Sequence, residues 1–323
     1  MRHVWHLAAA LTAATALAQP TAYAQFARQE IISFQSAKVS PTDFLNGKKG
    51  EMVNLAGHLR LPKAGPEKQA VVVLLHGVGG VSSSTDSSSV WADVLNQAGI
   101  ATFAVDSFAG RGANTPADVA KVSPLSRTLD ALGALEILAK HRLIDPQRIA
   151  VMGFSHGSMA ALYSNIDRFR KMHGNPDVQF AAHISVYGLC WAEFREDENN
   201  IKPALMLHGI ADDFVPIGPC REYTARLVKA GKNVRLIEYP DAHHGFDAPH
   251  FGQMTKWPDF AHPAWCRLAE ADNGNIVNKE TRQPLTPNDS CWRKGGSLAY
   301  HESAAKKAYA DVTAFLKDVF ERK

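Results

Sequence analysis

Apolar, β-branched runs alternate along this chain with stretches of helical period, and that alternation restricts the fold more than any other feature. Ala70–Leu75 (AVVVLL) is apolar at every position and stops at Gly77, the pattern of a strand covered on both faces. Glu51–Pro62 instead alternates through Val53, Leu55, Gly57, Leu59 and Leu61, as a half-buried strand does. Further strands are predicted at Ala101–Val105, Ile149–Phe154, Ala181–Val186, Ala204–Leu207 and Val234–Tyr239. Helices are predicted between and after them at Val90–Ala98, Leu125–His141, His156–Ile166, Arg221–Ala230 and Ser303–Phe320. Strand–helix alternation of this kind gives an α/β fold, with a mostly parallel central sheet and helices on both faces.

The 323 residues exceed one average domain, yet no repeat, low-complexity tract or linker divides them. The surplus has two sources. Arg2, His3 and His6 precede an apolar run from Leu7 to Ala18, and Ala22-Tyr23-Ala24 offers a small-residue cleavage site. That is the layout of a secretory signal peptide, and the run is too short to anchor the chain across ~30 Å of hydrocarbon. Cleavage after Ala24 leaves residues 25–323 as a single exported domain, periplasmic or extracellular; a second Ala-x-Ala ending at Ala18 offers an alternative cut. The other source is an interval from 249 to 298, rich in Pro, Asn and Trp, with neither helical nor strand period. So long an irregular stretch in a compact domain calls for a function or a staple.

A net charge of +3, from 35 basic and 32 acidic residues without long runs, gives nucleic-acid binding no electrostatic footing. The four cysteines acquire meaning from export, because disulfides persist in oxidising compartments. Cys190 follows one strand end and Cys220 follows the loop after the next, so they are expected to pair; Cys266 and Cys291 share the irregular interval and are expected to pair there. The second bridge closes a loop of about 25 residues and contributes roughly 3 kcal/mol in the loop-entropy account.

Chemistry concentrates at predicted strand ends. Gly153-Phe154-Ser155-His156-Gly157 joins a strand to a helix. A serine on so tight a turn projects its hydroxyl above the sheet edge, with the helix N-terminus behind it favouring negative charge. A serine hydroxyl is a poor nucleophile and needs an imidazole oriented by a carboxylate. Asp212 and Asp213 follow the strand at Ala204–Leu207, while His243 and His244 follow the strand at Val234–Tyr239. All three groups therefore open on one edge in the order Ser, Asp, His. The amide of His156, directly after the serine, and one from the glycine-rich loop His76–Gly80 are positioned to bind an oxyanion. That loop matches no nucleotide-binding pattern, and His243, His244, Asp241 and Asp247 lack metal-site spacing, so neither cofactor nor metal is expected.

The segments GFSHG, HGVGG, LHGIADDFVP and YPDAHHGFD together resemble the dienelactone hydrolase branch of the α/β-hydrolases, over residues 51–247 and the last helix. The resemblance implies Ser155 as nucleophile, Asp212 as acid, His244 as base and the Val78 amide as the second oxyanion donor. It also implies an acyl-enzyme mechanism on a small-molecule carboxylic ester. Arg111 in DSFAGRG and Arg221 after DDFVPIGPC resemble basic positions of the family, which makes them candidate substrate-carboxylate ligands, although a structural ion pair is the favoured role for Arg111. Two features depart from the pattern. The nucleophile is serine where the namesake enzymes carry cysteine, and Asp247-Ala248 stand where an arginine follows the histidine. A peptidase or acyltransferase, or a non-catalytic binding protein, would use the same fold. Substrate choice is expected to lie in loop 82–89 and the 249–298 interval, whose Trp257, Trp265 and Trp292 are candidates either to line a pocket or to pack the interval itself.

Overall fold

The structure, a computed structural model, describes residues 27–81, 86–113, 115–199 and 201–322. The expected export segment at 1–24 lies outside the described residues, as do residues 82–85 of the Ser-rich loop. Eight strands form one sheet: β1 (Arg28–Lys38), β2 (Glu51–Leu61), β3 (Gln69–Leu75), β4 (Ala101–Asp106), β5 (Ile144–Phe154), β6 (Ala182–Val186), β7 (Ala204–Gly209) and β8 (Val234–Tyr239). Their spatial order is β1-β2-β4-β3-β5-β6-β7-β8. The β1–β2 and β2–β4 pairs are antiparallel and the other five are parallel.

A short helix, α1 (Pro41–Leu45), joins β1 to β2, and α5 (Asp167–His173) precedes β6. The all-apolar β3 supplies both cores. Val72 and Leu74 point to the face covered by α2 (Ser88–Gln97) and α7 (Glu302–Glu321), through Trp91, Leu95, Val312 and Phe315. Val71, Val73 and Leu75 point to the face covered by α3 (Pro124–Ala139), through Ala131, Leu135 and Leu138, and by α4 (His156–Tyr163), through Ala160 and Ala161. Leu227 of α6 (Gly218–Lys229) joins α4 in a third cluster with Met159 and Leu162. Serine 123 starts α3 by accepting a hydrogen bond from the Ser126 amide, with Pro124 at the first helical position.

Three elements differ from expectation. The edge strand β1 is additional; most of its residues are at least partly exposed, so no apolar alternation marks it. The helix expected over 156–166 ends at Tyr163, and a separate helix follows at Asp167–His173. Ser164 Oγ donates to the Ala161 carbonyl, and Asn165 turns its amide to Lys202, giving the backbone alternatives to a helix. The 249–298 interval is built rather than irregular. Thr255–Lys256 pairs with Ser297–Leu298, Ala261–His262 with Arg293–Lys294, and Leu268–Glu270 with Ile276–Asn278. Ladders two or three residues long are too short to show a period. The Cys266 and Cys291 sulfurs stand at disulfide distance, 2.08 Å, inside this segment, and the Cys190 and Cys220 sulfurs stand at 1.97 Å between β6 and α6. The buried Glu270 ties the segment to the body through Arg168 and Arg195.

The start of α2 holds a buried acid. Asp86 accepts from the Ser88 amide, and burial, reinforced by the neighbouring Asp247, pushes its carboxyl up to about 6. The folded chain therefore holds this proton more tightly than the unfolded chain, in which an aspartate titrates near 4. The stabilisation is complete below about pH 4 and lost as pH rises through 6. Between pH 5 and 7.5 Asp86 is expected to reduce stability by on the order of 1 kcal/mol. Asp86→Asn should shrink the difference in unfolding free energy between those two pH values by that amount, measured by denaturant titration; an unchanged difference contradicts the assignment.

Candidate active site

Ser155 lies between β5 and α4 with φ +49° and ψ −116°, a conformation that side chains rarely adopt. The glycines flanking it are required by contact. A Cβ on Gly153 would stand 2.2 Å from the Gly157 carbonyl oxygen, and one on Gly157 would stand 2.1 Å from that of Leu75. The turn is held by the Ser155 amide donating to Val186 at 3.0 Å. Its hydroxyl donates to His244 Nε2 at 3.0 Å, and His244 Nδ1–H donates to Asp212 Oδ2 at 2.9 Å. The other oxygen, Asp212 Oδ1, accepts from the amides of Phe214 and Val215 at 3.0 and 2.7 Å. The structure thus joins Ser155, His244 and Asp212 in one buried chain of hydrogen bonds. The neighbouring Asp213 is used elsewhere, accepting from the backbone amide and hydroxyl of Ser297, and His243 Nδ1 is buried without a hydrogen-bond partner among the described residues.

The loop after β3 passes directly over the serine, and Gly77, Val78 and Gly79 line the same cleft as Ser155 and His244. His156 is the first residue of α4, so its amide has no acceptor within the helix and is free for a ligand. One side chain fastens both segments from below. The buried Arg127 donates to the His76 carbonyl oxygen at 2.7 Å and to His156 Nδ1 at 2.9 Å. Burial draws the His76 and His156 imidazoles well below their usual range, reinforced by the Arg127 charge, so both are neutral and can accept. Arg127 was missed in the sequence reading. It shares the core-facing stripe of α3 with Ala131, Ala134 and Leu138, and a charge in that register was the available signal.

Tyr187 was missed too. At φ +39°, just after β6, it holds its ring 4.6 Å from the His244 ring, and its hydroxyl pairs with Ser87. Behind it the fully buried Asp247 accepts from Trp91 Nε1, and burial raises its carboxyl. Phe214, Phe251, Trp257 and Leu298 complete the cleft.

The two candidate carboxylate ligands lie elsewhere. Arg111 is buried against Asp130, with both nitrogens of its fork engaged, and also donates to the carbonyls of Ser107 and Ala37. It ties α3 to β1 and to the end of β4. Arg221 pairs with Glu238 on the outer surface. Neither lines the cleft. Of the three candidate tryptophans only Trp257 does; Trp265 is exposed, with the Arg293 guanidinium 5.7 Å from its ring centre. Among the described residues no three His, Cys, Asp or Glu side chains converge as metal ligands, and no helix is long and apolar enough to cross a membrane.

Solved structures share this architecture. A putative dienelactone hydrolase from Klebsiella pneumoniae superposes with TM-score 0.56 at 18% identity, over 89% of this chain and 99% of that one. A hyperthermophilic esterase from Pyrobaculum calidifontis gives 0.54 at 15% identity, over 91% and 84%. An acylamino-acid-releasing enzyme of rice is 25% identical over 154 residues, 37% of this chain, and the match spans only 20% of that enzyme's length. The model of the dienelactone hydrolase family matches residues 55–320, from β2 through α7 and across both the serine turn and the histidine loop, and the chain belongs to that family, with its α/β-hydrolase fold.

Proposed function

We propose that the protein is an exported serine esterase that cleaves small-molecule carboxylic esters through an acyl-enzyme. The observation that carries this reading is the unbroken relay from Ser155 Oγ to His244 Nε2, and from His244 Nδ1 to Asp212, on a strained turn. Ser155 Oγ attacks the ester carbonyl as its proton passes to His244 Nε2. The amides of Val78 and His156 receive the developing oxyanion, and Asp212 stabilises the imidazolium. Collapse breaks the bond to the alcohol oxygen, which takes the proton from His244. Water then repeats the sequence, releasing the acid and restoring Ser155. No step calls on a cofactor. Export is supported by the N-terminal pattern and by the two cysteine pairs at disulfide distance. Mass spectrometry of the exported chain should find no Met1; an intact Met1 overturns that part.

The test of the reaction is labelling by a fluorophosphonate, which reports an activated serine. The wild type should be labelled at Ser155 and should release acid from simple esters. An unlabelled Ser155 in folded protein, or ester turnover that persists without it, overturns the reading.

Arg127 bears on the same chemistry as a positioning residue. Arg127→Met leaves the His76 carbonyl and His156 Nδ1 without partners, each costing about 1–3 kcal/mol if buried unpaired. The melting midpoint should fall. Because both oxyanion amides hang on these two residues, kcat should fall about 10- to 100-fold beyond any loss of folded enzyme, short of the 10²–10³ expected for deleting an oxyanion donor outright. Arg127→Lys, a single ammonium in place of a two-pronged fork, should recover stability better than kcat. Equal recovery of both would show a purely structural role.

A further inference from the structure

The 249–298 segment meets the cleft on the side of His244, and its attachment there is rigid. Asp213 Oδ1 accepts from the Ser297 amide at 2.8 Å and Oδ2 from the Ser297 hydroxyl at 3.0 Å. The next residue, Leu298, forms a parallel bridge with His244, and the Ala299 amide donates to the His244 carbonyl at 3.1 Å. The Trp257 amide donates to Gly296, whose Cα lies so close to Phe214 that a Cβ there would stand 1.9 Å from the ring. Phe214 in turn stacks between His262, at 4.6 Å, and His244, at 5.1 Å. The return strand is thus fastened to the loops carrying Asp212 and His244 by backbone bonds, a carboxylate and stacked rings. That makes it a wall, whereas a lid would have to break all of these contacts to open.

Resting on the esterase reading above, we propose that this segment is a fixed aromatic wall of the leaving-group site. Asp213 seats it, and it restricts the enzyme to uncharged esters whose alcohol is no larger than a single ring. The side of the cleft follows from the chemistry: His244 Nε2 must protonate the departing oxygen, so the alcohol sits beside the imidazole, where Phe214, Trp257 and Leu298 stand with Tyr187. The free space between these side chains is small, about 30 Å³. No Lys, Arg, Asp or Glu lines it among the described residues, and Arg111 is already engaged by Asp130, so a charged substrate group would be desolvated there without a counter-ion. Asp213 is therefore a positioning residue. It acts through Ser297 on the wall and not on the reacting atoms.

Three acetate esters with leaving phenols of similar acidity separate size from charge: phenyl acetate, biphenyl-4-yl acetate and 4-acetoxybenzoate. The wild type is expected to show kcat/KM for phenyl acetate at least about tenfold above each of the others, the scale on which an apolar pocket discriminates. Trp257→Ala and Asp213→Ala should each bring the phenyl-to-biphenyl ratio down by about fivefold or more. Ser297→Ala, which keeps the backbone bond and loses only the hydroxyl, should have a smaller effect in the same direction. Melting midpoints identify any variant that fails to fold, and Trp257→Ala at the cleft rim then carries the test. Equal turnover of the biphenyl or carboxylate ester by the wild type overturns the proposal, as does an unchanged ratio in folded Trp257→Ala. Absence of turnover on all three esters, with Ser155 unlabelled by fluorophosphonate, overturns the esterase reading instead.

Discussion

Ser155→Ala is expected to lower kcat on a simple ester by a factor of about 10⁴–10⁶ and to abolish fluorophosphonate labelling, with the fold retained. The magnitude follows from the unit in which the serine acts. Without Oγ, His244 has no proton to take, and the amides of Val78 and His156 can only assist attack by water, so what remains is the residual catalysis of the oxyanion site. Fold retention follows from the local structure. The turn is held by the Ser155 amide on the Val186 carbonyl and by the glycines at 153 and 157, none of which involves the hydroxyl. Alanine inherits the same strained φ of +49° that serine tolerates. Side-by-side melting curves and kcat on phenyl acetate check both halves. A folded variant with more than about a hundredth of wild-type kcat would remove Ser155 from the mechanism.

What could be read from the sequence, and what could not, divides along a physical line. The parallel strands β3, β6 and β7 are buried at every residue, so composition alone reveals them, and the parallel strand ends deliver Ser155, Asp212 and His244 to one edge in order. Hydrophobic period carries no information about segments without a continuous buried face. That is why β1, exposed along most of its length, and the two-residue ladders around Thr255 and Ala261 went unread. Arg111 shows a different limit: the ion pair favoured for it is present, but its partner could not be named. Its position in the chain resembles a ligand position, but its partner Asp130 sits on α3, and only the packing of that helix against β1 reveals that the charge is already satisfied. Arg127, nearby on the same helix, carries the converse lesson. Its charge on the core-facing stripe marks it in sequence, but what it fastens beneath the serine turn shows only in the packing.

Asp212→Asn is expected to cost about 10⁴ in kcat, nearly as much as losing the serine, although it changes one atom and no volume. The reason lies in how the carboxylate is surrounded. Oδ1 accepts from two backbone amides, those of Phe214 and Val215, so an asparagine must keep its carbonyl oxygen there. Reversing the amide would set its NH₂ against two N–H donors. The NH₂ is therefore forced into the place of Oδ2, facing His244 Nδ1 at 2.9 Å. Two donors cannot share that line, so the imidazole must give up the proton on Nδ1 and carry it on Nε2, where it faces Ser155 Oγ. In that tautomer the ring presents a donor to the serine and can no longer take its proton. His208 offers no rescue, because its Nε2 donates to the Val215 carbonyl at 2.9 Å and burial lowers its own proton affinity. The expected signature is a large loss of kcat with KM and the melting midpoint little changed. Asp213→Asn, one residue away and bonded to Ser297, should leave the tautomer untouched and cause no comparable loss. Comparable losses in the two variants would mean that the acid loop acts through its overall charge, and that Asp212 does not fix the imidazole.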